Sequence, residues 1–402
     1  MPSPFEPRGT SLINPFVAYA AGFLVAFAVY SLGYSDLYPP LEPSLEWFLL
    51  STCAVCVFLG YATRRRTQPR VFDPEPFRTQ VAIFVALVAA FMVEVAANGG
   101  VPLVQIAGGA DVSYRDFGVP VLHVAFSGFC YFFAVYWFDL YLTGRGRTFL
   151  LFSMSAFATS ILIFSRGAFI VTLIAMMGVY IQRRGFRRRL LVIFAVLAAA
   201  LLWGFGYLGD IRTHGATGES VILNVGDASD KFRNSNIPTE LFWPYLYTSS
   251  PLANLQLNVT DRVANDSPGL YFLLEFLPDF VSKRLVSDAD MDASLPLLVT
   301  EQLTVCTMYG RAFVLMGWLG VWLSFGYLIA VSIVCLKVLK NSKYLVATTG
   351  ILSSLAFLSI FDNLYIVSGG IMQVLVALLL KSFERTPEIE PRPQQNWRQI
   401  TT

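Results

Sequence analysis

Four arginines lie at the ends of apolar stretches, where a guanidinium could bind a phosphate. The clearest is Arg166, in the turn Phe164-Ser165-Arg166-Gly167 between two apolar runs. Ser165 fits the N-cap position of the second run. A helix N-terminus offers free N–H groups and a positive dipole, and a neighbouring arginine can donate bidentate hydrogen bonds. The turn is therefore suited to an anion such as phosphate. The alternative is an arginine whose head simply reaches the membrane surface.

A second group of polar residues directly follows an apolar run. Asp210, Arg212 and His214 lie within five positions of one another. Arginine can clamp a phosphate with two parallel hydrogen bonds. A histidine or a carboxylate can accept a proton near neutral pH, which makes His214 and Asp210 candidate catalytic bases. The alternative is an ordinary polar start to a loop, with a solvated histidine.

The two remaining arginines are Arg115 and Arg311. Arg115 is followed by Asp116, and such neighbours often form a local surface pair of little energetic value. Arg311 opens an apolar run and repeats the arrangement at Arg166. Both are candidate substrate-binding residues.

Two ionisable residues lie inside apolar runs. Glu94 is near the predicted outer end of its run and is a candidate base or arginine partner; otherwise it is a carboxylate at the membrane surface. His123 also lies in an apolar run. The simpler interpretation of His123 is a packed, hydrogen-bonded residue.

The composition predicts that most of the chain faces lipid. The 402 residues are 55% hydrophobic and 14% charged, with a mean hydropathy of +0.58, whereas soluble domains carry about 25% charged residues. A membrane-crossing helix needs about 20 apolar residues. Ten stretches qualify or nearly qualify, and they predict an all-α polytopic membrane protein: Ile13–Gly33, Leu45–Ala62, Val81–Asn98, Val119–Leu142, Phe149–Phe164, Ala168–Gln182, Leu190–Leu208, Ala312–Val338, Tyr344–Phe361 and Tyr365–Leu380.

The basic residues predict the orientation of these stretches. With ten spans, most of them fall in loops on one side, and a basic excess marks the cytoplasmic side. Both termini are then cytoplasmic, and Gly209–Arg311 is a large periplasmic loop. Residues 1–208 hold the first seven spans, 312–383 the last three, and 384–402 a cytoplasmic tail whose composition predicts disorder.

No cofactor or metal is expected. No His, Cys and Asp cluster has metal-ligand spacing, and the chain contains neither a Walker motif nor a convincing dinucleotide fingerprint. Nor does it contain a nucleophile-elbow motif. The clustered arginines lie beside apolar stretches, which excludes an obvious nucleic-acid patch. Cys53 and Cys56 are spaced as C-x-x-C inside an apolar run and are interpreted as packing residues.

Several short motifs resemble bacterial oligosaccharide repeat-unit polymerases of the Wzy type. They are the Ser165-Arg166-Gly167 turn, Gly100-Val101-Pro102-Leu103, the stretch Tyr245-Leu246-Tyr247-Thr248-Ser249-Ser250-Pro251-Leu252-Ala253-Asn254-Leu255, Thr307-Met308-Tyr309-Gly310 and Gly317-Trp318-Leu319-Gly320. The Ser-Arg-Gly turn is also similar to O-antigen ligases. Within these motifs, Tyr247, Asn254 and Tyr309 are candidate glycan-binding residues.

This resemblance implies a GT-C-like glycosyltransferase of the bacterial inner membrane. Such enzymes move a glycan from undecaprenyl diphosphate to the sugar of another lipid-linked repeat unit at the periplasmic face. A chain-length regulator and a flippase are possible partners. Two alternatives stay open: a ligase that transfers glycan to lipid A core, and a transporter, although transporters often show internal repeats and polar sites at the membrane midplane.

Overall fold

The computed structural model describes residues 13–68, 72, 76–108, 117–186, 192 and 221–384. The protein is 71% helical, and the part described contains no strand. The apolar stretches form helices α1 (Pro15–Tyr30), α2 (Pro43–Thr63), α3 (Phe77–Ala97), α5 (Leu122–Leu142), α6 (Arg147–Leu162), α7 (Arg166–Arg184), α14 (Gly310–Val338), α15 (Leu345–Phe357) and α16 (Ser368–Ser382). The other helices are α4 (Pro102–Ala107), α8 (Val221–Val225), α9 (Asp230–Arg233), α10 (Phe242–Asp261), α11 (Pro268–Glu275), α12 (Asp279–Ser282) and α13 (Asp288–Ala293).

The helices agree closely with the apolar stretches predicted from sequence. The largest differences are of four residues: α3 begins at Phe77 rather than Val81, and α15 ends at Phe357 rather than Phe361. Four helices, α2, α3, α5 and α14, are long and apolar enough to cross a membrane, and α1, α6, α15 and α16 are shorter apolar helices. The predicted span Leu190–Leu208 lies outside the described residues, apart from position 192. The all-α class is therefore confirmed for the described residues, four of whose helices have the length and composition of membrane spans.

Local sequence signals explain where α1 begins. The Asn14 side chain accepts hydrogen bonds from the backbone N–H groups of Phe16 and Val17, and Pro15 takes the first helical position. These are the usual ways to satisfy a helix start. The amide of Asn14 also donates to the carbonyl oxygen of Gly60, 3.1 Å away. One buried side chain thus caps α1 and fixes it against the last turn of α2.

Contacts between α3, α5 and α7 define two ends of the helix bundle. Near the end of α5, Asp139 accepts two hydrogen bonds from Arg183, near the end of α7, at 2.6 and 2.8 Å. The two helices therefore run in the same direction and begin at the same end. His123, in the first turn of α5, contacts Glu94, in the last turn of α3. We call the end that holds His123 and Glu94 the outer end, and the end that holds Asp139 and Arg183 the basic end.

Basic residues collect at the basic end, in or beside the connections between helices. Arg184 donates to the carbonyl oxygen of Leu142, and the backbone N–H of Lys343 donates to Glu384 after α16. The other basic residues in the last turn of a helix there, or in the connection to the next helix, are Arg64, Arg65, Arg66, Arg145, Lys337, Lys340 and Lys381.

Helix α14 is broken, which the sequence did not predict. Met316 and Gly317 depart from helical geometry, and Gly317 has φ +57° and ψ −145°. A backbone with this combination is essentially restricted to glycine. Ala312–Val338, predicted as one continuous span, is therefore a short helical segment followed by a long one.

A segment from the long loop satisfies the backbone groups that the break releases. The N–H groups of Asn265 and Ser267 donate to the carbonyl oxygens of Val314 and Leu315, at 2.8 and 2.9 Å. Helices usually break where another group inserts into their hydrogen-bond ladder. The break is therefore held by a tertiary contact.

The segment from 221 to 309 packs against the outer end. The hydroxyl of Tyr245 in α10 accepts a hydrogen bond from the backbone N–H of Tyr34, which follows α1. The apolar stretch Tyr271–Val281 is interrupted at Pro278, and it forms the end of α11 and most of α12. Tyr271 bonds to the carbonyl oxygen of Gly320, so α11 lies alongside α14.

Candidate functional site

At the outer end, Glu94 and His123 form a carboxylate–imidazole pair. The Nδ1 atom of His123 lies 3.0 Å from Oε2 of Glu94, which is completely buried, while 29% of the histidine side chain is exposed. The other carboxylate oxygen, Oε1, is buried and has no hydrogen-bond partner among the described residues. Glu94 was predicted as a base or an arginine partner. Its partner among the described residues is an imidazole rather than a guanidinium, and its role as a base stays a prediction.

The imidazole ring is also held by the turn before α5. The ring of Phe117 meets it edge to face, with 5.8 Å between the ring centroids. Gly118 has φ +105°, and a Cβ atom placed there would lie 2.5 Å from the histidine ring. Both features require glycine at position 118, because the backbone conformation and the close approach each exclude a side chain. The ring orientation is thus fixed from two sides.

Arg166 is the first residue of α7 and is exposed at the same end. Its guanidinium carbon lies 5.2 Å from the ring centroid of Phe164, whose φ is +62°. Ser165 is the N-cap residue, as predicted, but its hydroxyl makes no capping hydrogen bond. The predicted N-cap position is therefore confirmed without a side-chain hydrogen bond, and Arg166 begins the helix and is exposed.

A second polar cluster lies where α11, the start of α14 and the turn before α16 meet. It consists of Glu275, Arg311, Asp362 and Asn363. The amide of Asn363 donates to Oε2 of Glu275 at 3.0 Å, and both side chains are buried. The Nε atom of Arg311 and Oδ1 of Asn363 are buried without partners among the described residues. The cluster therefore retains unused hydrogen-bonding capacity.

The charges in this cluster act on one another. Burial raises the pKa of Glu275 to about 7, while the positive charge of Arg311 and the hydrogen bond from Asn363 oppose the rise. Desolvation by the surrounding protein raises the pKa of the Asp362 carboxyl, and the positive charge of Arg311 again opposes the rise. Part of the Asp362 residue is nevertheless exposed. Two carboxyls beside Arg311 offset its charge, so the cluster suits hydroxyl groups better than an anion.

Tyr247, the first of the three candidate glycan-binding residues, lies on α10 and is 45% exposed. Its ring stacks on that of Trp243, with centroids 5.7 Å apart and an angle of 25° between the planes. Such a pair presents a broad apolar face with a polar tip. Its position is compatible with the predicted contact to a sugar.

Asn254 and Tyr309 are placed differently from the prediction. Asn254 is fully buried, and its amide bonds to the backbone of three residues, Val299, Leu303 and Val305. Tyr309 is also fully buried, and its hydroxyl lies 2.6 Å from that of Tyr19. Because these polar groups are already engaged inside the protein, both residues organise the fold and are corrected to structural roles.

The other predicted residues fall outside the part of the chain that is described. These are Arg115, Asp210, Arg212 and His214. They stay predictions. Within the described ranges, no group of three or more His, Cys, Asp or Glu side chains is arranged to hold a metal ion.

Sequence reasoning missed His123, Glu275, Asp362 and Asn363 as members of polar clusters. A signal for the first was present, because Glu94 and His123 lie one turn from the predicted outer ends of consecutive spans. The cluster around Arg311 had no comparable signal, since its members are distant in sequence and are brought together by tertiary packing. Comparisons with protein-family models, with curated proteins and with solved structures found no match.

Proposed function

We propose that this protein polymerises lipid-linked oligosaccharide repeat units. It transfers a glycan from undecaprenyl diphosphate to a sugar of another lipid-linked repeat unit, at the periplasmic face of a bacterial inner membrane. The proposal includes ten membrane spans, cytoplasmic termini and a GT-C-like architecture. The observation that carries it is the collection of Glu94, His123, Arg166, Glu275 and Arg311 at the outer end of an apolar helix bundle, opposite the basic end.

This arrangement contains the chemical groups that the transfer requires. The diphosphate leaving group gains charge as the glycosidic bond breaks, and a fixed guanidinium stabilises that charge. Arg166 is suited to this role because it is exposed at the start of a 19-residue helix. The acceptor hydroxyl needs orientation and a proton acceptor. Hydroxyl-binding groups are present around Arg311, and Tyr247 with Trp243 offers an aromatic face for a sugar.

The chain path supports the ten-span topology. Helix α7 ends at the basic end, beside Asp139, and the next described helix, α8, is followed by a contact at the outer end, where the hydroxyl of Ser35 donates to the carbonyl oxygen of Gly226. A crossing between α7 and α8 is what the predicted span Leu190–Leu208 supplies.

The experiment is a direct assay of chain growth. Purified protein in lipid nanodiscs is incubated with the lipid-linked glycans that accumulate in cells lacking the protein. We expect a ladder of products that grows by one repeat unit per step and needs no ATP or nucleotide sugar. If a single glycan is transferred to lipid A core instead, the protein is a ligase. Absence of any transferred glycan contradicts the enzymatic proposal.

One observation favours a transporter as a second candidate. Transporters place substrate sites at discontinuous helices with buried ionisable groups. Here α14 is broken at Gly317, and the cluster of Glu275 and Arg311 is near the start of the same helix. Movement of intact lipid-linked glycan across proteoliposome membranes, with no change in glycan length, is the result that this alternative predicts.

A further inference from the structure

We propose that His123 is the catalytic proton acceptor for the acceptor sugar hydroxyl and that Glu94 is its positioning residue. The inference rests on the proposed glycan transfer and names residues that carry out its proton step. It assigns a catalytic role to a histidine that the sequence alone favours as a packing residue.

The geometry of the pair matches what a proton acceptor needs. A carboxylate can only accept a hydrogen bond, so the proton between Glu94 and His123 is on Nδ1 of the ring. The lone pair of the neutral imidazole is then on Nε2. No described residue bonds to Nε2, and the side chain is partly exposed at the outer end. A buried carboxylate that fixes the tautomer of an exposed imidazole is the arrangement by which hydrolytic triads activate hydroxyl groups.

The surroundings hold the ring without competing for its proton. Phe117 and Gly118 contact it through carbon and backbone atoms. Among the described residues, the other titratable groups that interact with Glu94 are the thiol of Cys130 and the phenol of Tyr131, both on α5 and both buried. Neither offers a charged alternative to the imidazole. By comparison, Glu275 is almost completely buried and already accepts a hydrogen bond from Asn363, so it is less accessible to a sugar hydroxyl.

The chemical step balances with the groups named. The oxygen of the acceptor hydroxyl attacks the anomeric carbon of the donor glycan and forms the new glycosidic bond. The bond from that carbon to the diphosphate oxygen breaks, and the lipid diphosphate leaves with the electron pair. The hydroxyl proton passes to Nε2 of His123, while Glu94 stabilises the imidazolium through Nδ1–H. The proton is later released to water, and no oxidant or reductant is involved.

The test measures chain growth by the full-length protein in nanodiscs, with lipid-linked glycans from cells lacking the protein as the probe. We expect His123→Gln to slow growth by about 100-fold or more, in line with the loss of a general base. Glu94→Gln should cause a comparable loss, because its amide can donate to Nδ1 and stabilise the wrong tautomer. Added imidazole should restore part of the activity of His123→Ala. A purely structural residue would not respond in this way.

The matched control is Asp139→Asn, which weakens the buried ion pair between Asp139 and Arg183 at the basic end. We expect this variant to lose thermal stability but to retain the rate per folded molecule. Wild-type rates in His123→Gln overturn the inference. So does a loss in His123→Ala that imidazole leaves unchanged and that Asp139→Asn reproduces. These results differ from a failure of the proposed function, in which the wild-type protein itself makes no ladder.

Discussion

At the scale of single residues, Arg166 connects sequence to chemistry most directly. It is exposed on the first turn of α7, where N–H groups and a guanidinium can face one anion. We expect Arg166→Ala to reduce chain growth roughly 100- to 1000-fold, the usual effect of losing a donor to a developing negative charge. Arg166→Lys should recover only part of the rate, because an ammonium cannot form the bidentate hydrogen bonds of a planar guanidinium. The measurement is the rate of ladder formation.

Arg184 provides the matched control for this prediction. It lies on the same helix but at the basic end, where it donates to the carbonyl oxygen of Leu142. Arg184→Ala should leave the rate of chain growth unchanged per folded molecule. Equal losses in the two variants would show that the helix merely needs its arginines for folding or insertion, and the phosphate role of Arg166 would be abandoned.

Glu275 makes stability depend on pH. Its pKa is raised from 4.5 to about 7 by burial. The neutral carboxyl therefore contributes stability that is fully present below about pH 4.5 and is lost as the pH rises through about 7. At roughly 1.4 kcal/mol per pKa unit, the loss is at most about 3–4 kcal/mol.

The variant Glu275→Gln keeps an oxygen that can accept from Asn363 but does not ionise. We expect its melting temperature, relative to wild type, to be higher at pH 8 than at pH 5. The control is Glu301→Gln at an exposed position, which should show no such difference. The difference in melting temperature between Glu275→Gln and wild type is measured at both pH values. If this difference is the same at pH 5 and pH 8, the pKa of Glu275 is not raised.

At the scale of elements, the break in α14 depends on one glycine. Gly317→Ala meets only ordinary contact with Ala264, 3.5 Å from the added Cβ, so the cost comes from the backbone angle φ of +57°. We expect a loss of about 1–3 kcal/mol in the free energy of unfolding, measured by thermal or denaturant unfolding in detergent.

Gly326 is the matched control in the same helix, because nothing lies within 4 Å of an added Cβ and its backbone is helical. Gly326→Ala should be neutral or slightly stabilising, as expected for glycine replaced inside a helix. Should Gly317→Ala be as stable as Gly326→Ala, the break in α14 would not require a glycine.

The helices were predictable from sequence because their apolar runs are long and separated by charged or turn residues. The break in α14 was not, since Gly317 lies in an apolar run that has the length and composition of one span. Its conformation depends on hydrogen bonds from Asn265 and Ser267, which are distant in sequence. For the same reason Glu94 was recognised as a candidate while its partner His123 was not. Burial of a carboxylate indicates that it has a partner, and only tertiary structure identifies that partner.

At the scale of the whole molecule, the separation of a basic end from an outer end predicts how the protein sits in the membrane. Asp288, on α13 at the outer end, and Lys340, after α14 at the basic end, are both exposed. All five native cysteines are free and buried, so a single introduced cysteine is the main reporter for a thiol reagent. Because basic residues mark the cytoplasmic side, Asp288→Cys should react with a membrane-impermeant maleimide on intact spheroplasts.

In the same experiment, Lys340→Cys should react only after the membrane is permeabilised. The wild-type protein shows whether native thiols contribute to the signal, and labelling of both variants after permeabilisation shows that each cysteine is reachable. The reverse pattern would place the outer end in the cytoplasm. Glu94, His123 and Arg166 would then face the cytoplasm, which is the wrong compartment for glycan transfer at the periplasmic face. This result would contradict both the proposed function and the proton step at His123. The orientation of the bundle therefore decides whether its chemical groups can meet the proposed substrate.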